Sequence, residues 1–203
     1  AQFTLYDKDG NLVRRSIYHH DSIPLRAPIL KRMANGNIGI FLAEIEAASN
    51  KVMFMLSQID YNTGIQQSSA GLFTVVGSNS DPKFMVEILP NGGFLIAFAN
   101  RLGKLTFREY NSNSNFIYGF TTSIPFTNNL QLAAAEYDVS FCYQSSPDKL
   151  MQRFLHRSVS TAPLQLDQQR TAVIQNPGQD ITGFQVVKSS DINPSIISIK
   201  IGR

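Results

Sequence analysis

Short apolar stretches separated by polar turns run along the whole chain. Residues 29–41 and 85–97 show the pattern most clearly: in each, an alternating apolar stretch leads into Asn-Gly, at Asn35-Gly36 and Asn91-Gly92, and a second apolar stretch follows. Asn-Gly supplies the positive φ angles of a type I′ turn, and between apolar strands it is the strongest short-range hairpin signal. We therefore predict two β-hairpins with type I′ turns.

A third strand follows each hairpin after a short polar turn. It opens with Lys and an aliphatic residue, at Lys51-Val52, Lys104-Leu105 and Lys149-Leu150. The last of these predicts its own upstream hairpin, which residues 130–143 provide with Glu136-Tyr137-Asp138 as the turn. The Lys positions are 53 and 45 residues apart. A period of about 50 residues is typical of the longer propeller blades, which are four-stranded units.

The two ends of the chain continue the pattern. The third strand of the first two units is predicted to end in an aromatic residue and an Asx turn, at Tyr61-Asn62 and Tyr110-Asn111, and Tyr6-Asp7 repeats this signature. Residues 3–6 then form a third strand without its own first and second strands, whereas residues 184–201 provide first and second strands without a third. Splitting one blade between the termini closes a propeller ring and removes exposed sheet edges.

These units predict an all-β fold, a single β-propeller domain over residues 1–203 with four blades. An open array within a longer protein, or a ring completed by two chains, is the alternative that the residues leave open. Helices are scarcely signalled, because residues 44–49 are too short to nucleate one and are assigned to the turn between strands two and three. The predicted units are 25–77, 82–127, 130–179, and 181–203 joined with 1–24.

Composition supports a folded domain and limits the classes of partner that we expect. Hydrophobic residues make up 43% of the chain and charged residues 16%, a balance that favours a buried core over disorder. The net charge of +3 comes from scattered Lys and Arg, without the basic run that would follow nucleic-acid phosphates. No segment approaches the roughly 18 apolar residues of a membrane span. We expect neither nucleic acid nor a bilayer as partner.

The redox compartment and the natural ends are left open by the sequence. Cys142 is the only cysteine and lies in an apolar run, so we predict a small buried side chain rather than a reactive thiol. Residues 1–5 lack the regions of a signal peptide. The chain is therefore expected to be a mature product or an excised piece.

The histidines give a weak signal for metal. The only local cluster is His19-His20-Asp21, and the third histidine, His156, is distant in sequence. Adjacent side chains on a strand point to opposite faces, so the two imidazoles cannot easily bind one ion, although His19 and Asp21 could share a face. A solvated strand end is the favoured interpretation. We predict no metal and no cofactor.

Two acidic segments suggest other chemistry. Residues 7–11 alternate oxygen ligands, but Gly10 is at position four and Tyr18 at position twelve of the would-be calcium loop, which does not fit an EF-hand. A turn explains them better. Glu44 and Glu46 share a strand face if that segment is extended, which is an arrangement open to the acid and base of a hydrolase. We predict instead a solvated pair at a surface turn.

No enzyme motif is present. The chain has no nucleophile elbow, phosphate-binding loop, dinucleotide fingerprint or Cys-x-x-Cys pair, so we predict no catalytic residues. Aromatic and aliphatic residues that recur on second and third strands are candidate sugar platforms if exposed. Recurrence in successive units is also what packing between neighbouring sheets requires, and the core interpretation is favoured. These residues are Phe54, Phe107 and Phe154 on third strands, and Ile40, Phe94 and Phe141 on second strands.

The repeat pattern resembles the propeller-like repeats of secreted bacterial adhesins and RTX-type surface proteins. The resemblance covers nearly the whole chain and rests on the order of strand, Asn-Gly, strand, Lys-aliphatic strand and Tyr-Asx turn. Where those repeats usually carry a Trp in the second strand, this chain has Phe41 and Phe98 nearby. The resemblance implies a secreted or cell-surface location and a role in adhesion.

We therefore predict a non-catalytic binding module that recognises carbohydrate or protein through its loops. Arg101-Leu102-Gly103 and Ser145-Ser146-Pro147 are the loops expected to carry function. The ligand and its contact residues are not identified by the sequence. The first strands predict a basic central channel able to hold an anion, formed by Lys31, Arg32 and Lys188 with Glu87.

Two other classes stay open. A structural subunit of a homo-oligomer or larger complex would expose apolar patches. A glycan-acting propeller hydrolase would need a central cluster of carboxylates.

Overall fold

The fold consists of antiparallel β-sheets built from strands that are consecutive in sequence. A computed structural model describes residues 2–6, 9–17, 25–46, 51–76, 83–127, 129–159, 161–175, 177–187 and 196–201. Within these ranges every regular element is a strand, so the all-β prediction is confirmed. The strands are β1 Gln2–Tyr6, β2 Leu12–Ile17, β3 Leu25–Arg32, β4 Ile38–Glu46, β5 Lys51–Ile59, β6 Gln66–Val76, β7 Phe84–Ile88, β8 Phe94–Ala99, β9 Lys104–Tyr110, β10 Phe116–Pro125, β11 Gln131–Ala134, β12 Asp138–Ser146, β13 Lys149–His156, β14 Gln165–Gln175, β15 Ile181–Val187 and β16 Ile196–Ile201.

Three four-stranded sheets form the centre of the chain. Strands β3 to β6, β7 to β10 and β11 to β14 each form one sheet with the strands side by side in chain order. These sheets fall within the predicted units 25–77, 82–127 and 130–179. Strands β1 and β2 form one two-stranded sheet, and β15 and β16 form another. The first strands follow one another in space, since β3 lies against β7, β7 against β11 and β11 against β15.

The sheets pack face to face through apolar side chains. One core cluster joins β3–β6 to β7–β10, a second joins β7–β10 to β11–β14, and a smaller third joins β11–β14 to the pair β15–β16. The sequence of strand β8 is apolar throughout because both of its faces are buried. Phe94, Ile96 and Phe98 pack on the preceding sheet. Leu95 and Ala97 pack on the following one. A sheet buried on both faces loses the alternation of apolar and polar residues.

The fourth strand of each sheet is different in length and exposure. Strands β6, β10 and β14 are the longest of their sheets, with 11, 10 and 11 residues. They are mostly exposed, whereas nearly all residues of the second and third strands are buried or half-buried. Each sheet therefore has a buried inner part and a solvated edge.

The Asn-Gly hairpins are confirmed, but their turn type was predicted wrongly. Met33 donates its N–H to Asn37 O at 2.8 Å and accepts from the N–H of Gly36 at 3.0 Å, which defines a three-residue loop. Gly36 has φ +85°, but Asn35 does not have a positive φ, so the turn is a type I turn followed by a left-handed Gly. The Asn35 side chain accepts the N–H of Asn37 at 3.0 Å instead.

The second hairpin repeats this geometry. Leu89 donates its N–H to Gly93 O and accepts from the N–H of Gly92, both at 2.9 Å. Gly92 has φ +84°, and the Asn91 side chain accepts the N–H of Gly93 at 3.1 Å. Pro90 fits the first central position of a type I turn, where its fixed φ is favourable. Asn is thus selected here for its side-chain acceptor rather than for left-handed backbone.

Two sequence assignments need correction. Strand β5 ends at Ile59, and Tyr61 lies in the turn that follows, whereas Tyr110 ends β9 and Tyr6 ends β1 as predicted. The side chain of Asp60 makes the Asx turn, accepting the N–H of Asn62 at 2.9 Å. Glu44 lies in strand β4, not at a surface turn, and is buried. Strand β4 reaches it because nine consecutive residues pair with β5.

Only glycine fits at position 93, because a side chain there would collide with the backbone of β9. A Cβ atom at this position would lie 2.3 Å from the backbone oxygen of Tyr110, closer than non-bonded atoms approach. The main chain of the β7–β8 turn therefore sits directly against the end of β9. Relief would require backbone movement in a buried region.

We expect Gly93→Ala to lower the free energy of unfolding by about 3 kcal/mol, because overpacking a buried site strains the backbone. Gly71→Ala is the matched control, since the nearest atom to its Cβ would be Met53 Sδ at 3.9 Å, and its effect should stay within about 0.5 kcal/mol. Urea unfolding followed by circular dichroism measures both. Equal stability of the two variants would contradict the close contact.

Candidate functional site

A buried ion pair joins the second and third four-stranded sheets. Arg157, just after β13, places Nη2 2.8 Å from Oε1 of Glu109 on β9, and both side chains are at most 4% exposed. The backbone N–H of Leu164 donates to the other oxygen, Oε2, at 3.0 Å. Buried charges need partners of this kind. The pair fixes the long β13–β14 connection against the neighbouring sheet. The Glu109 carboxylate and the Arg157 guanidinium therefore have a structural role.

A second charged group lies at the same end of the third sheet. Arg170 on β14 contacts both oxygens of Asp138, Nη2 to Oδ1 at 2.5 Å and Nη1 to Oδ2 at 3.1 Å. Its Nε contacts Asp167 Oδ2 at 2.6 Å. The guanidinium also lies over the ring of Phe154, 4.7 Å from the centroid. His156 completes the group with its Nδ1 2.8 Å from Asp138 Oδ1.

The carboxyl groups of this cluster are easily ionised. Burial raises the pKa of Asp138, but hydrogen bonds from Arg170 and His156 outweigh that effect and leave the pKa below its ordinary value. Hydrogen bonds from the Arg170 side chain and from the backbone lower the pKa of Asp167 to about 2. Both carboxylates are therefore charged at neutral pH. They are held as ion-pair partners rather than as proton donors.

A cleft of about 250 Å³ opens beside this cluster. His156 and Asp167 border it, and the rest of its wall comes from the β13–β14 connection and the first residues of β14. His156 is half-exposed, so its imidazole is reachable from solvent. The lining residues are His156, Arg157, Ser158, Ala162, Pro163, Gln165, Leu166 and Asp167.

A larger cleft of about 420 Å³ lies between the third sheet and the start of β15. We call it the amide cleft, because the side-chain amides of Asn129 and Gln144 meet there. The loop Ser145-Ser146-Pro147, one of the two predicted to carry function, forms part of its wall. Every lining residue is uncharged except Asp180. The lining consists of Thr127, Asn129, Gln144, Ser145, Ser146, Pro147, Asp180, Ile181 and Thr182.

Gln144 is fixed by three hydrogen bonds. Its Nε2 donates to the carbonyl oxygens of Pro147 at 2.9 Å and of Ile181 at 3.0 Å. Its Oε1 accepts from Nδ2 of Asn129 at 3.0 Å. The N–H of Ile181 also donates to Pro147 O at 2.7 Å. These bonds connect the turn of the third sheet to the first residue of the next strand and give the cleft a defined shape.

The other predicted loop, Arg101-Leu102-Gly103, is exposed in the turn between β8 and β9. Asn100 shapes it by accepting the N–H groups of Leu102 and Lys104 at 2.9 and 3.0 Å. Leu102 is 72% exposed. No lining residue of either cleft comes from this loop.

The predicted basic channel is partly neutralised. Lys31 on β3 and Glu87 on β7 form an ion pair at 2.8 Å across two first strands. The guanidinium of Arg32 lies over the ring of Tyr61, 5.0 Å from its centroid. Lys188 lies outside the described residues. Lys31 therefore serves to join neighbouring first strands.

The recurrent aromatic residues belong to the core. Phe54, Phe107, Phe94, Phe141 and Ile40 are each at most 4% exposed, which rules them out as sugar platforms in this fold. Phe154 is half-buried beneath Arg170. Cys142 is buried as predicted, and burial raises the pKa of its thiol to about 12.

Several other candidates cannot be placed. His19, His20, Asp21, Asp7 and Tyr18 lie outside the described residues, and so does the side chain of Glu46. Gly10 has φ +83°, as expected for the turn that was predicted there. Among the described residues, no three His, Cys, Asp or Glu side chains are arranged to hold a metal ion. The described part of the chain also contains no helix of the length and apolarity needed to cross a bilayer.

The sequence did not predict the Glu109–Arg157 pair, the charged cluster around Arg170 or the place of Asn129 in the wall of the amide cleft. Glu109 and Arg157 are 48 positions apart in sequence, so no local pattern pairs them. Asn129 lies in the link between two sheets, and only its contact with Gln144 indicates a role. A polar residue predicted on a buried strand, such as Glu109, is the one signal that the sequence offered.

We expect Arg157→Met to cost about 3 to 5 kcal/mol of unfolding free energy, because it leaves the Glu109 carboxylate buried without its cation. Adding Glu109→Gln removes that charge and keeps an oxygen for the Leu164 N–H. The double variant should therefore recover part of the loss. Urea unfolding of both variants measures the difference, and a double variant less stable than Arg157→Met would contradict this account.

The Arg170 cluster should make stability depend on pH at the acid end. Because the pKa of Asp138 and Asp167 is lower in the folded protein than the ordinary value of 3.8, their stabilisation is present above about pH 4 and is lost as pH falls towards 2. We expect Arg170→Gln to reduce this loss, measured as the change in urea midpoint from pH 5 to pH 2. Arg101→Gln, in an exposed turn, is the control. An unchanged pH dependence in Arg170→Gln would contradict the assignment.

No protein-family model and no curated protein sequence matches the chain.

Proposed function

We propose that the protein is a four-bladed β-propeller that acts as a non-catalytic recognition module for carbohydrate or protein. The observation that carries this proposal is the series β3, β7, β11 and β15, in which each first strand lies against the next. In a propeller the first strands surround the axis and the fourth strands face outward. The exposure of β6, β10 and β14 agrees with that arrangement.

The first four-stranded sheet supports continuation of the ring on its other side. Ile40, Leu42 and Ile59 form an apolar cluster on the face opposite to β7–β10. These side chains are at most 4% exposed, so other parts of the chain cover them. Strands β1 and β2 would supply the third and fourth strands of the blade that β15 and β16 begin.

Recognition is favoured over catalysis because the carboxylates near the clefts and the first strands are engaged in ion pairs. Glu109, Asp138 and Asp167 are each engaged by an arginine, and Glu87 is engaged by Lys31. A glycan hydrolase would need one carboxyl group with a raised pKa, whereas Asp138 and Asp167 have lowered values. The clefts at the sheet ends offer hydrogen-bonding surfaces instead. Secretion and adhesion follow as part of the same proposal from the repeat resemblance.

The alternative, a structural subunit, is supported by the edge of the second sheet. Phe116, Ile117 and Tyr118 are consecutive on β10 and are each about 40–50% exposed. This strand carries no charged residue, and an uncharged apolar edge is prone to pair with another strand. Assembly through β10 would bury these residues.

Light scattering and a glycan array, applied to one sample, distinguish these functions. We expect a particle of one chain, 22.6 kDa, that binds one class of glycan. A large oligomer without glycan binding would instead favour the structural subunit. Ile117→Lys is the informative variant, since a charge on the edge disfavours strand pairing. It should leave a monomer unchanged and dissociate an assembly formed through β10.

A further inference from the structure

A guanidinium group lies over two aromatic rings at the seam between the first two four-stranded sheets. Cζ of Arg108, on β9, is 4.5 Å from the ring centroid of Phe73 on β6 and 5.0 Å from that of Phe116 on β10. Stacking of this kind uses the faces of the guanidinium, whereas its N–H donors point outward in its plane. We call Phe73, Arg108 and Phe116 the aromatic clamp.

The charge of Arg108 is not compensated by a carboxylate within the described chain. Arg157 and Arg170 differ, since both pair with acidic side chains. Arg108 is half-buried. Burial raises the pKa of Tyr110 and Arg108 partly opposes that rise, so the Tyr110 hydroxyl lies near the guanidinium. A hydroxyl does not neutralise a charge and cannot occupy five N–H donors, which leaves Arg108 able to bind an anion.

Strand β10 leaves the aromatic clamp uncovered. Gly119 is the residue paired directly with Arg108. A Cβ atom at position 119 would lie 3.3 Å from Arg108 Cγ and 3.3 Å from Phe116 Cε2, so any side chain there would sit against the clamp. Phe116 is 53% exposed, and a bulge at Ile117 interrupts the pairing beside it. Bulges are frequent next to binding sites, where they redirect side chains.

Charge and shape narrow the ligand class. A guanidinium with free N–H donors suits a carboxylate, because two parallel hydrogen bonds form at once. The exposed ring of Phe116 offers an apolar face for the C–H groups of a sugar. Uronic acids and N-acetylneuraminic acid carry a carboxylate directly on a rigid sugar ring. An acidic peptide carries its carboxylates on flexible side chains, which lose more conformational entropy on binding.

We propose that the aromatic clamp binds an acidic sugar, with Arg108 on its carboxylate and Phe116 against its ring. This rests on the proposed recognition function and names its ligand class and one contact site. The net charge of +3 agrees with an anionic ligand. A single clamp binds weakly, and affinity for an acidic polysaccharide comes from several copies acting together.

The test is titration of the 203-residue chain with single sugars, followed by nitrogen-15 NMR. The acidic panel is glucuronic acid, galacturonic acid and N-acetylneuraminic acid, with glucose and galactose as neutral comparators. We expect at least one acid to shift the backbone amides of Phe116 and Gly119 and the Nε–H signal of Arg108. The neutral sugars should leave these signals in place. A response to neutral sugars alone would overturn the acidic ligand and keep the recognition function.

Arg108→Gln should lower the affinity for the acidic sugar about tenfold, because it removes the charge-assisted hydrogen bonds. Arg101→Gln is the matched control, since it removes the same charge from an exposed turn and should bind within twofold of the parent. Arg108→Lys keeps the charge without the planar fork, so its affinity should also fall. Parent-like binding by Arg108→Lys would overturn the bidentate contact.

Phe116→Leu tests the ring without disturbing the core. Because Phe116 is more than half exposed, the melting temperature should stay close to that of the parent. Loss of the ring should lower the affinity about fivefold. This variant keeps the proposal testable if Arg108→Gln folds poorly, and undiminished binding would overturn the contact with the sugar ring.

The outcomes distinguish the site from the function. Acidic-sugar binding that Arg108→Gln leaves unchanged would overturn the aromatic clamp and leave the recognition function standing. Absence of binding to every sugar would overturn the saccharide assignment. In that case, shifts of the same signals by a glutamate-containing peptide would identify a protein ligand and keep the recognition function, whereas no response to either would count against both.

Discussion

Face-to-face packing of sheets is the constraint on which the rest of this structure depends. A sheet in the middle of a stack must bury both faces, and the phenylalanines meet this need between the first two sheets. Phe54 contacts three rings from two sheets, Phe73 at 4.4 Å, Phe84 at 5.3 Å and Phe98 at 5.5 Å between centroids. Such ring pairs stabilise the fold beyond the effect of the apolar area that they bury. The amide cleft, between the third sheet and the start of β15, follows from how these sheets stack.

The polar groups at the seams between sheets divide into two kinds. The pairs Lys31–Glu87 and Arg157–Glu109 join neighbouring sheets and have their charges compensated. The amide cleft is different, because its wall is uncharged except for Asp180 and its shape is held by the hydrogen bonds of Gln144.

The two Asn-Gly hairpins were predicted correctly, although their turn type was not. Asn-Gly marked both hairpins, yet Asn35 and Asn91 are used as side-chain acceptors and only the glycines take positive φ. The sequence signal is the same for both turn types, because each needs Gly at one position and tolerates Asn before it. Loop length decides between them, and it depends on the register of the paired strands.

The sequence by itself determined the all-β class, the three hairpins, the strand opening with Lys in each unit and the burial of Phe54, Phe107 and Cys142. These are local or periodic properties, since strand alternation and turn residues act over a few positions. It did not determine the burial of Glu44, the partners of Arg157 and Arg170, or the meeting of Asn129 with Gln144. Those depend on which sheet faces which, and residues far apart in sequence become neighbours only after the sheets stack. Tertiary structure therefore decided the candidate site, because the site lies between units that the chain forms separately.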